Sequence, residues 1–379
     1  MESHYHHWFS NDSFAIGLAK EINHNVIIKK PHTNIYIDNT IYELDSIKAF
    51  LTFPLLSLWQ RVRQLFVLGV LFKINPFWKP LEHFKAAEIL PILIGKKAFN
   101  LIWKPQLYNK MRNYMTDVSL VWFWARVKKR TPDLAYPEEG FLAFAIHLTE
   151  ILKKNGVTFY FNSEIEKLTQ EKQVTIETNT HNKLHFDRAI ITTPSFLFIK
   201  IAPQLPEHYK SQIGTLKGLG ATNLILRLKK PFLPKNTYWL SMCNMDSPIM
   251  AIVEHTNFMS KSHYNNEHIV YLGNYPASNT PEFTASKEEL LKKYHPLLTK
   301  INPTYKKNLI SYTLFKAPFA QPIIPINYSQ LLPSFKTPLS KVYLANIEQV
   351  YPWDRGTNYA IELGYKIADI LSKDEKNIS

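Results

Sequence analysis

The sequence predicts an α/β fold, and three observations lead to this class. An amphipathic helix follows Gly140, with apolar side chains at helical spacing and a stop at Asn155-Gly156. Strand-like stretches come directly after this helix, at 157–161, 174–178 and 184–193. A short buried strand at 341–346 then leads through a loop into a second helix over 358–371. Because helices and strands alternate through short links at both places, we expect an α/β arrangement.

The remaining segments add helices and a mixed α+β block. Residues 47–129 carry long apolar and aromatic stretches broken by five prolines, without period-2 alternation, which predicts several short packed helices. Residues 203–338 contain strand-like pieces and one charged helix over 286–298.

Composition narrows the class of protein. The chain has 379 residues, 45% hydrophobic and 20% charged, which is enough for two globular domains. A single cysteine, Cys243, excludes an intramolecular disulfide framework and a multi-cysteine metal site. The longest charge-free apolar stretches fall short of the ~20 residues that a spanning helix needs, and we expect no signal peptide at the start of the sequence. We expect a cytoplasmic protein, with membrane association as the alternative.

The net charge and the aromatic content of the chain indicate which classes of molecule it could bind. The formal net charge is +14, but few of the basic residues are Arg and no nucleic-acid-binding module is recognisable, so we expect no nucleic-acid partner. Aromatic residues make up 13% of the chain. This fraction favours a small-molecule substrate that is large and apolar, or a peripheral contact with a membrane, while ordinary core packing is the alternative.

The stretch His4–Phe9 is the densest cluster of titratable and aromatic side chains. His6 and His7 are adjacent imidazoles that could act as acid and base near neutral pH, so they are candidate substrate-contacting residues. The alternative is a turn in which the histidines cap the backbone. No later carboxylate has a spacing that completes a metal site, so we expect no metal. Glycine-rich phosphate loops, the G-x-S-x-G motif and the H-E-x-x-H motif are also missing from the sequence.

The most informative stretch is 341–364. Its strand Val342–Asn346, its loop and its helix start resemble the flavin-dependent amine oxidoreductase superfamily, which includes protoporphyrinogen oxidases, phytoene desaturases and monoamine oxidases. In that family a V-Y-[LV]-A-G-[DE] strand leads to a helix start that faces the flavin, whereas Asn346 and Ile347 replace the usual glycine and acid here. The resemblance implies a set of cofactor-binding residues in this stretch: Asn346, Tyr351, Asp354, Arg355, Gly356, Asn358, Tyr359 and Ala360.

Four further stretches resemble motifs of the same family in the same order. They are Glu2–Phe9 (E-x-x-Y-H-H-x-F), Tyr136–Phe141 (G-Y-x-x-G-G-F), Gly156–Ile165 (G-x-x-[IV]-x-x-x-x-x-V) and Asp187–Pro194 (x-A-D-x-V-I-x-[TA]-x-P). The last two imply that Ile165 and Pro194 also contact the cofactor.

The resemblance implies a split Rossmann-like FAD-binding domain and an α+β substrate domain. The FAD-binding domain would comprise residues 1–30, 135–203 and 339–373, the substrate domain 31–134 and 204–338, and the tail 374–379. The family's first β-α-β unit, about 30 residues with a glycine-rich loop, is missing from this sequence. We therefore expect a truncated or divergent member in which FAD binding is weak or absent.

The implied activity is that of an FAD-dependent oxidoreductase, with hydride transfer from a C–H or C–N bond to flavin. No catalytic residue is assigned, because the protein's part in such chemistry is orientation and electrostatics. One alternative is a non-catalytic scaffold or peripheral membrane protein that retains the flavoprotein fold, supported by the basic, aromatic region 56–103. The other is a flavin-dependent sugar-nucleotide enzyme, in which the positive charge would hold phosphates.

Overall fold

The computed structural model describes residues 2–180, 182–245 and 247–376, and the chain divides into two compact units. Unit 1 comprises Met1–Asn11, Val26–Ala143 and Gly218–Ile326, and unit 2 comprises Asp12–Asn25, Phe144–Lys217 and Asn327–Ser379. The domains predicted above are defined by function, whereas these units are defined by compactness, so the predicted boundaries stay a prediction.

Unit 1 is built on a seven-stranded sheet. Its strands are β3 (His32–Ile37), β4 (Thr40–Glu43), β10 (Gly218–Leu228), β11 (Thr237–Met242), β12 (Ala251–Glu254), β13 (His268–Asn274) and β14 (Leu309–Pro322). Their order across the sheet is β14-β10-β13-β12-β11-β3-β4. All neighbours are antiparallel except β11 and β3. Helix α12 (Lys287–Ile301) packs its apolar side, including Leu290 and Leu298, against alternate side chains of β10 and β13 such as Leu226 and Val270.

A second sheet of unit 1 has three antiparallel strands. They are β1 (Trp8–Phe9), β5 (Leu134–Pro137) and β2 (Val26–Lys29), in that order. Tyr136 of β5 shares a buried aromatic cluster with Tyr238 and Tyr271 of the large sheet.

Short helices make up much of the rest of unit 1, and those between residues 47 and 129 lie where the proline spacing predicted them. They are α2 (Ile47–Leu51), α3 (Leu58–Phe66), α4 (Ala86–Ile94), α5 (Lys96–Ala98), α6 (Lys104–Met111), α7 (Leu120–Lys129), α11 (Pro281–Thr284) and α13 (Tyr305–Asn308). Val67–Ile74 and Phe99–Trp103 are π-helices, and the 3₁₀ turns are Lys79–His83, Arg112–Tyr114, Pro234–Asn236, His255–Asn257 and Lys261–Tyr264. Among the described residues, no helix is long and apolar enough to cross a membrane.

Unit 2 combines two small sheets with several helices. Strands β6 (Ile165–Gln170), β7 (Val174–Thr178) and β8 (Lys183–Phe186) are antiparallel, whereas β9 (Ala189–Ile191) and β15 (Val342–Leu344) are parallel. The helices are α1 (Ser13–Glu21), α8 (Phe141–Lys154, which begins in unit 1), α9 (Ser195–Ile201), α10 (Glu207–Gly214) and α14 (Thr357–Lys376), with 3₁₀ turns at Tyr328–Gln330 and Ile347–Gln349. Leu168, Ile191, Phe198 and Leu344 lie in one buried core that joins both sheets to α9.

The mixture of helices with parallel and antiparallel strands agrees with the predicted α/β class. One predicted strand is wrong: residues 157–161 follow Gly156, which ends α8 at φ +87°, and form no strand. Phe159 and Phe161 lie on one side and stack at 5.7 Å, but alternation makes a strand only where a neighbour supplies hydrogen bonds. The predicted strand 184–193 is divided between β8 and β9.

Candidate functional site

The parallel strands β9 and β15 end side by side, and the loops after them meet. Leu344 lies opposite Ile191, so the carboxyl ends of both strands are at one edge of the sheet. The Asn346 Nδ2 donates to the carbonyl oxygen of Thr193 at 3.1 Å. Two of the predicted cofactor-binding residues, Pro194 and Asn346, are thereby brought to the same edge.

This edge is closed by the chain's own polar side chains. Asn346 Nδ2 donates to Glu348 Oε2 at 2.6 Å, and the same carboxylate oxygen accepts from the backbone N–H of Ser195 at 3.0 Å and from its hydroxyl at 2.6 Å. The N–H of Asn346 donates to Gln349 Oε1 at 2.8 Å. Asn346 and Glu348 are 2% and 1% exposed. We call Ser195, Asn346, Glu348 and Gln349 the edge network.

Burial raises the pKa of Glu348, and the hydrogen bonds from Ser195 and Asn346 oppose this rise because they stabilise the carboxylate. Sequence reasoning missed Glu348 and Ser195. A signal for Glu348 was present, since an acid stands two positions after Asn346 rather than one. No sequence signal pointed to Ser195, because its hydrogen-bond partner Glu348 is 153 residues away in the chain.

Helix α14 begins where the motif predicted it. The carbonyl oxygen of Gly356 accepts from the N–H groups of Tyr359 and Ala360 at 3.0 and 3.1 Å, so Gly356 is the residue that precedes the first helical turn. In the loop before it, Arg355 Nη1 lies 3.6 Å from Asp354 Oδ1.

Asn358 is turned toward α1. Its Oδ1 accepts from the N–H groups of Phe14 and Ala15 at 2.9 and 3.1 Å. Those are N–H groups of the first turn of α1, which have no acceptor within their own helix. Asn358 therefore caps a helix in this structure, and its predicted contact with a cofactor stays a prediction.

The two predicted tyrosines pack against aromatic neighbours within unit 2. Tyr359 is 8% exposed and stacks on Trp353 with a centroid distance of 6.4 Å. Its burial, with the negative charges of Asp12 and Asp354, raises the pKa of its hydroxyl. The Tyr351 ring lies 5.3 Å from Tyr328.

Tyr328 connects that aromatic pair to the edge network, because its hydroxyl donates to the carbonyl oxygen of Glu348 at 3.0 Å. Ile165, the remaining predicted residue of unit 2, begins β6 in the other sheet and is 38% exposed.

His6 and His7 belong to unit 1 and have different surroundings. His6 is exposed, with its ring 5.8 Å from Phe141. The Nδ1 atom of His7 lies 3.1 Å from the Tyr238 hydroxyl, and its ring makes edge contacts with Phe9 and Trp239. Burial lowers the pKa of His7 to about 3, and nearby positive charge adds to the effect. The His7 imidazole is therefore neutral near neutral pH, where it is not poised to donate a proton as an acid.

A buried titratable cluster near these histidines was missed by sequence reasoning. Glu2 Oε1 accepts from the N–H of Phe141 at 2.9 Å, and the Glu2 carbonyl oxygen accepts from the Tyr271 hydroxyl at 3.1 Å. His255 Nε2 lies 2.7 Å from the Tyr264 hydroxyl. Burial lowers the pKa of His255 to about 4, against the opposing effect of the Glu2 charge. In the described part of the chain, no three His, Cys, Asp or Glu side chains are placed to hold a metal ion.

The residues at the β9–β15 edge do not fit the flavin cofactor that the resemblance implies. The N–H groups of Ser195 and Asn346, which a strand end and a helix start could offer to a cofactor, already donate to Glu348 and Gln349. The edge network thus occupies two N–H groups that could otherwise donate to a bound cofactor.

Comparison with known proteins gives the family and the fold. Similar solved structures include a protein described only provisionally as a protoporphyrinogen oxidase, from Exiguobacterium sp. 255-15 (12% identity, 99% of this chain and 88% of that one, TM-score 0.75). Others are cyclohexylamine oxidase from Brevibacterium oxydans IH-35A (13%, 99% and 88%, 0.70) and reduced UDP-galactopyranose mutase (13%, 97% and 84%, 0.72). No curated protein sequence matches the chain. Residues 107–369 match the family described as flavin containing amine oxidoreductase, and the chain belongs to this family.

Proposed function

We propose that the protein is a divergent FAD-dependent oxidoreductase whose 379 residues by themselves hold FAD weakly or not at all. Its family membership supports a reaction that moves hydride from a C–H or C–N bond of an organic substrate to flavin. The observation that carries the weak binding is the edge network, in which Glu348 accepts the N–H of Ser195 that a cofactor could use. The parallel pair β9–β15 followed by α14 supports a split Rossmann-like arrangement within unit 2.

We propose a large, apolar small molecule as substrate, contacted by His6 and His7. The neutral His7 ring lies among Phe9, Tyr238 and Trp239, so it offers an aromatic face rather than a charge. Such surroundings favour apolar and aromatic groups over ionic ones.

An absorption spectrum and an FAD titration test the cofactor proposal. The purified wild-type protein should be colourless, and FAD should bind weakly. Asn346→Gly removes one of the side chains that hold Glu348 at this edge and restores the family's glycine, so it should raise the FAD affinity by about tenfold if one charge-assisted contact is released. Asn23→Gly, at an exposed position with φ +55°, is the matched control.

Stoichiometric FAD in the wild-type protein would contradict the proposal. Equal affinities for Asn346→Gly and Asn23→Gly would show that the edge network does not limit cofactor binding.

The same closed edge favours a second candidate, a non-catalytic protein that retains the flavoprotein fold. In that case neither variant binds FAD, while both keep the wild-type circular dichroism spectrum.

The sugar-nucleotide alternative is supported by the net charge of +14 and by the likeness of fold to UDP-galactopyranose mutase. A thermal shift with a uridine diphosphate sugar tests it.

A further inference from the structure

Helix α3 reverses the pattern of an ordinary surface helix, which buries apolar residues and exposes polar ones. Gln64 is fully buried, and its Oε1 accepts from Trp103 Nε1 at 2.8 Å. Trp59 and Phe66, in contrast, are 71% and 55% exposed. The polar side of α3 therefore faces the protein interior, and large apolar side chains face outward.

The exposed apolar row continues beyond α3. Along the π-helix Val67–Ile74 it includes Val70 and Ile74, while Val67 and Phe72 of the same helix are buried. The exposed residues recur every three or four positions and so lie on one side of the helical segment. We call this row the apolar ridge; it consists of Trp59, Val62, Phe66, Val70, Ile74 and Phe77.

The surroundings of the apolar ridge are basic. Residues 46–97 contain eight Lys or Arg and two acidic residues, and one of the two, Glu82, is buried. Lys48 and Lys79 are exposed. Lys73 and Lys128 each donate to the other's carbonyl oxygen, at 3.0 and 2.9 Å, which holds two cations together near the end of the ridge.

We propose that the apolar ridge binds the surface of a bilayer that contains anionic lipids. Its aromatic and aliphatic side chains would enter the interface between headgroups and acyl chains, and the surrounding lysines would attract the headgroup phosphates. The excess of cations argues against a second copy of the chain as the occupant, because two such faces would repel each other. This inference does not depend on the proposed flavin chemistry.

Co-sedimentation of the full chain with vesicles tests the inference. The vesicles are pure phosphatidylcholine, or one part phosphatidylglycerol to three parts phosphatidylcholine. The wild-type protein should partition to the anionic vesicles and much less to the neutral ones, and about 1 M salt should weaken binding through screening. Trp59→Ser/Phe66→Ser should lower the partition coefficient by at least about tenfold, since two large apolar side chains are lost.

Matched variants separate the ridge from the rest of the surface. Phe161→Ser removes a phenylalanine that is 65% exposed in unit 2 and should change partitioning by less than about twofold. Lys48→Gln/Lys79→Gln should weaken binding to anionic vesicles more than Lys292→Gln/Lys306→Gln, which changes exposed lysines elsewhere. All these positions are exposed, and circular dichroism verifies that each variant folds.

Equal partitioning of wild type and Trp59→Ser/Phe66→Ser would overturn the inference. So would failure to bind anionic vesicles together with a concentration-dependent dimer that this variant abolishes in sedimentation velocity. That result would identify a second copy of the chain as the occupant of the ridge.

Discussion

At the scale of single residues, the position of one carboxylate decides the character of the β9–β15 edge. The family pattern places an acid directly after the glycine, whereas this chain has Ile347 there and Glu348 one residue later. The shift lets the 3₁₀ turn Ile347–Gln349 direct the Glu348 carboxylate back to the start of α9. A buried carboxylate is tolerated only with several donors, and Ser195 and Asn346 supply them.

Ser195→Ala should destabilise the protein by about 1–3 kcal/mol, because it removes one donor to a buried carboxylate. Urea unfolding monitored by circular dichroism measures the effect. Ser340→Ala is the control: it removes an exposed hydrogen bond from Gln170 and should cost less than about 0.5 kcal/mol. A loss equal to that of the control would show that the edge network contributes little to stability.

The sequence could place part of this site but not its contacts. Gly356 at the start of α14 followed from the apolar strand before it and the helical period after it. The bonds that the N–H groups of Phe14 and Ala15 donate to Asn358 Oδ1 join residues more than 340 positions apart, and no local pattern encodes them. The roles of Asp354 and Arg355 toward a cofactor stay a prediction.

At the scale of secondary-structure elements, strongly periodic segments were predicted and irregular ones were not. Helices α8 and α14 carry regular apolar faces and lie where the periodicity predicted them. Strand β14, 14 residues long, was missed because its residues are mostly half-buried and show no clean alternation. The π-helix Val67–Ile74 has no signal in the proline spacing, since its path depends on packing against α7.

Two glycine substitutions test the packing of helix α14 and strand β13, and they should change the free energy of unfolding in opposite directions. Gly364 lies in α14 with no heavy atom within 4 Å of an added Cβ, so Gly364→Ala should raise the free energy of unfolding by up to about 1 kcal/mol. Gly273 lies in β13, where an added Cβ would overlap the ring of Tyr5, so Gly273→Ala should be destabilising. Urea unfolding of both variants measures this. A stable Gly273→Ala protein would contradict the tight contact between Tyr5 and β13.

At the scale of the whole molecule, each unit is assembled from three separate stretches of chain. The large sheet of unit 1 takes strands from both sides of the unit 2 segment 144–217. The sequence therefore predicted the α/β class but could not supply the sheet order, which is set by long-range pairing. Seven of the eight tryptophans lie in unit 1, so tryptophan fluorescence mainly reports on that unit.

Stability should depend on pH in a direction set by His7 and His255 of unit 1. The pKa values of His7 and His255 are lowered from 6.5 to about 3 and about 4 in the folded state. Below pH 6.5 these two histidines take up protons in the unfolded chain but not in the folded chain. Their contribution to the free energy of unfolding is therefore complete above pH 6.5 and is lost as the pH falls. Glu348 in unit 2 acts in the opposite direction, because its raised pKa favours proton uptake by the folded state.

His7→Phe isolates one histidine, because phenylalanine keeps an aromatic ring against Phe9 and Trp239 but cannot be protonated. The wild-type protein should lose stability between pH 7.5 and pH 5, with His7 alone accounting for no more than about 2 kcal/mol of the loss. The variant should lose correspondingly less, although it forgoes the hydrogen bond to Tyr238 at both values of pH. Urea unfolding followed by tryptophan fluorescence at the two pH values measures the difference. An identical pH dependence for the wild type and His7→Phe would mean that solvent reaches the His7 imidazole in the folded protein.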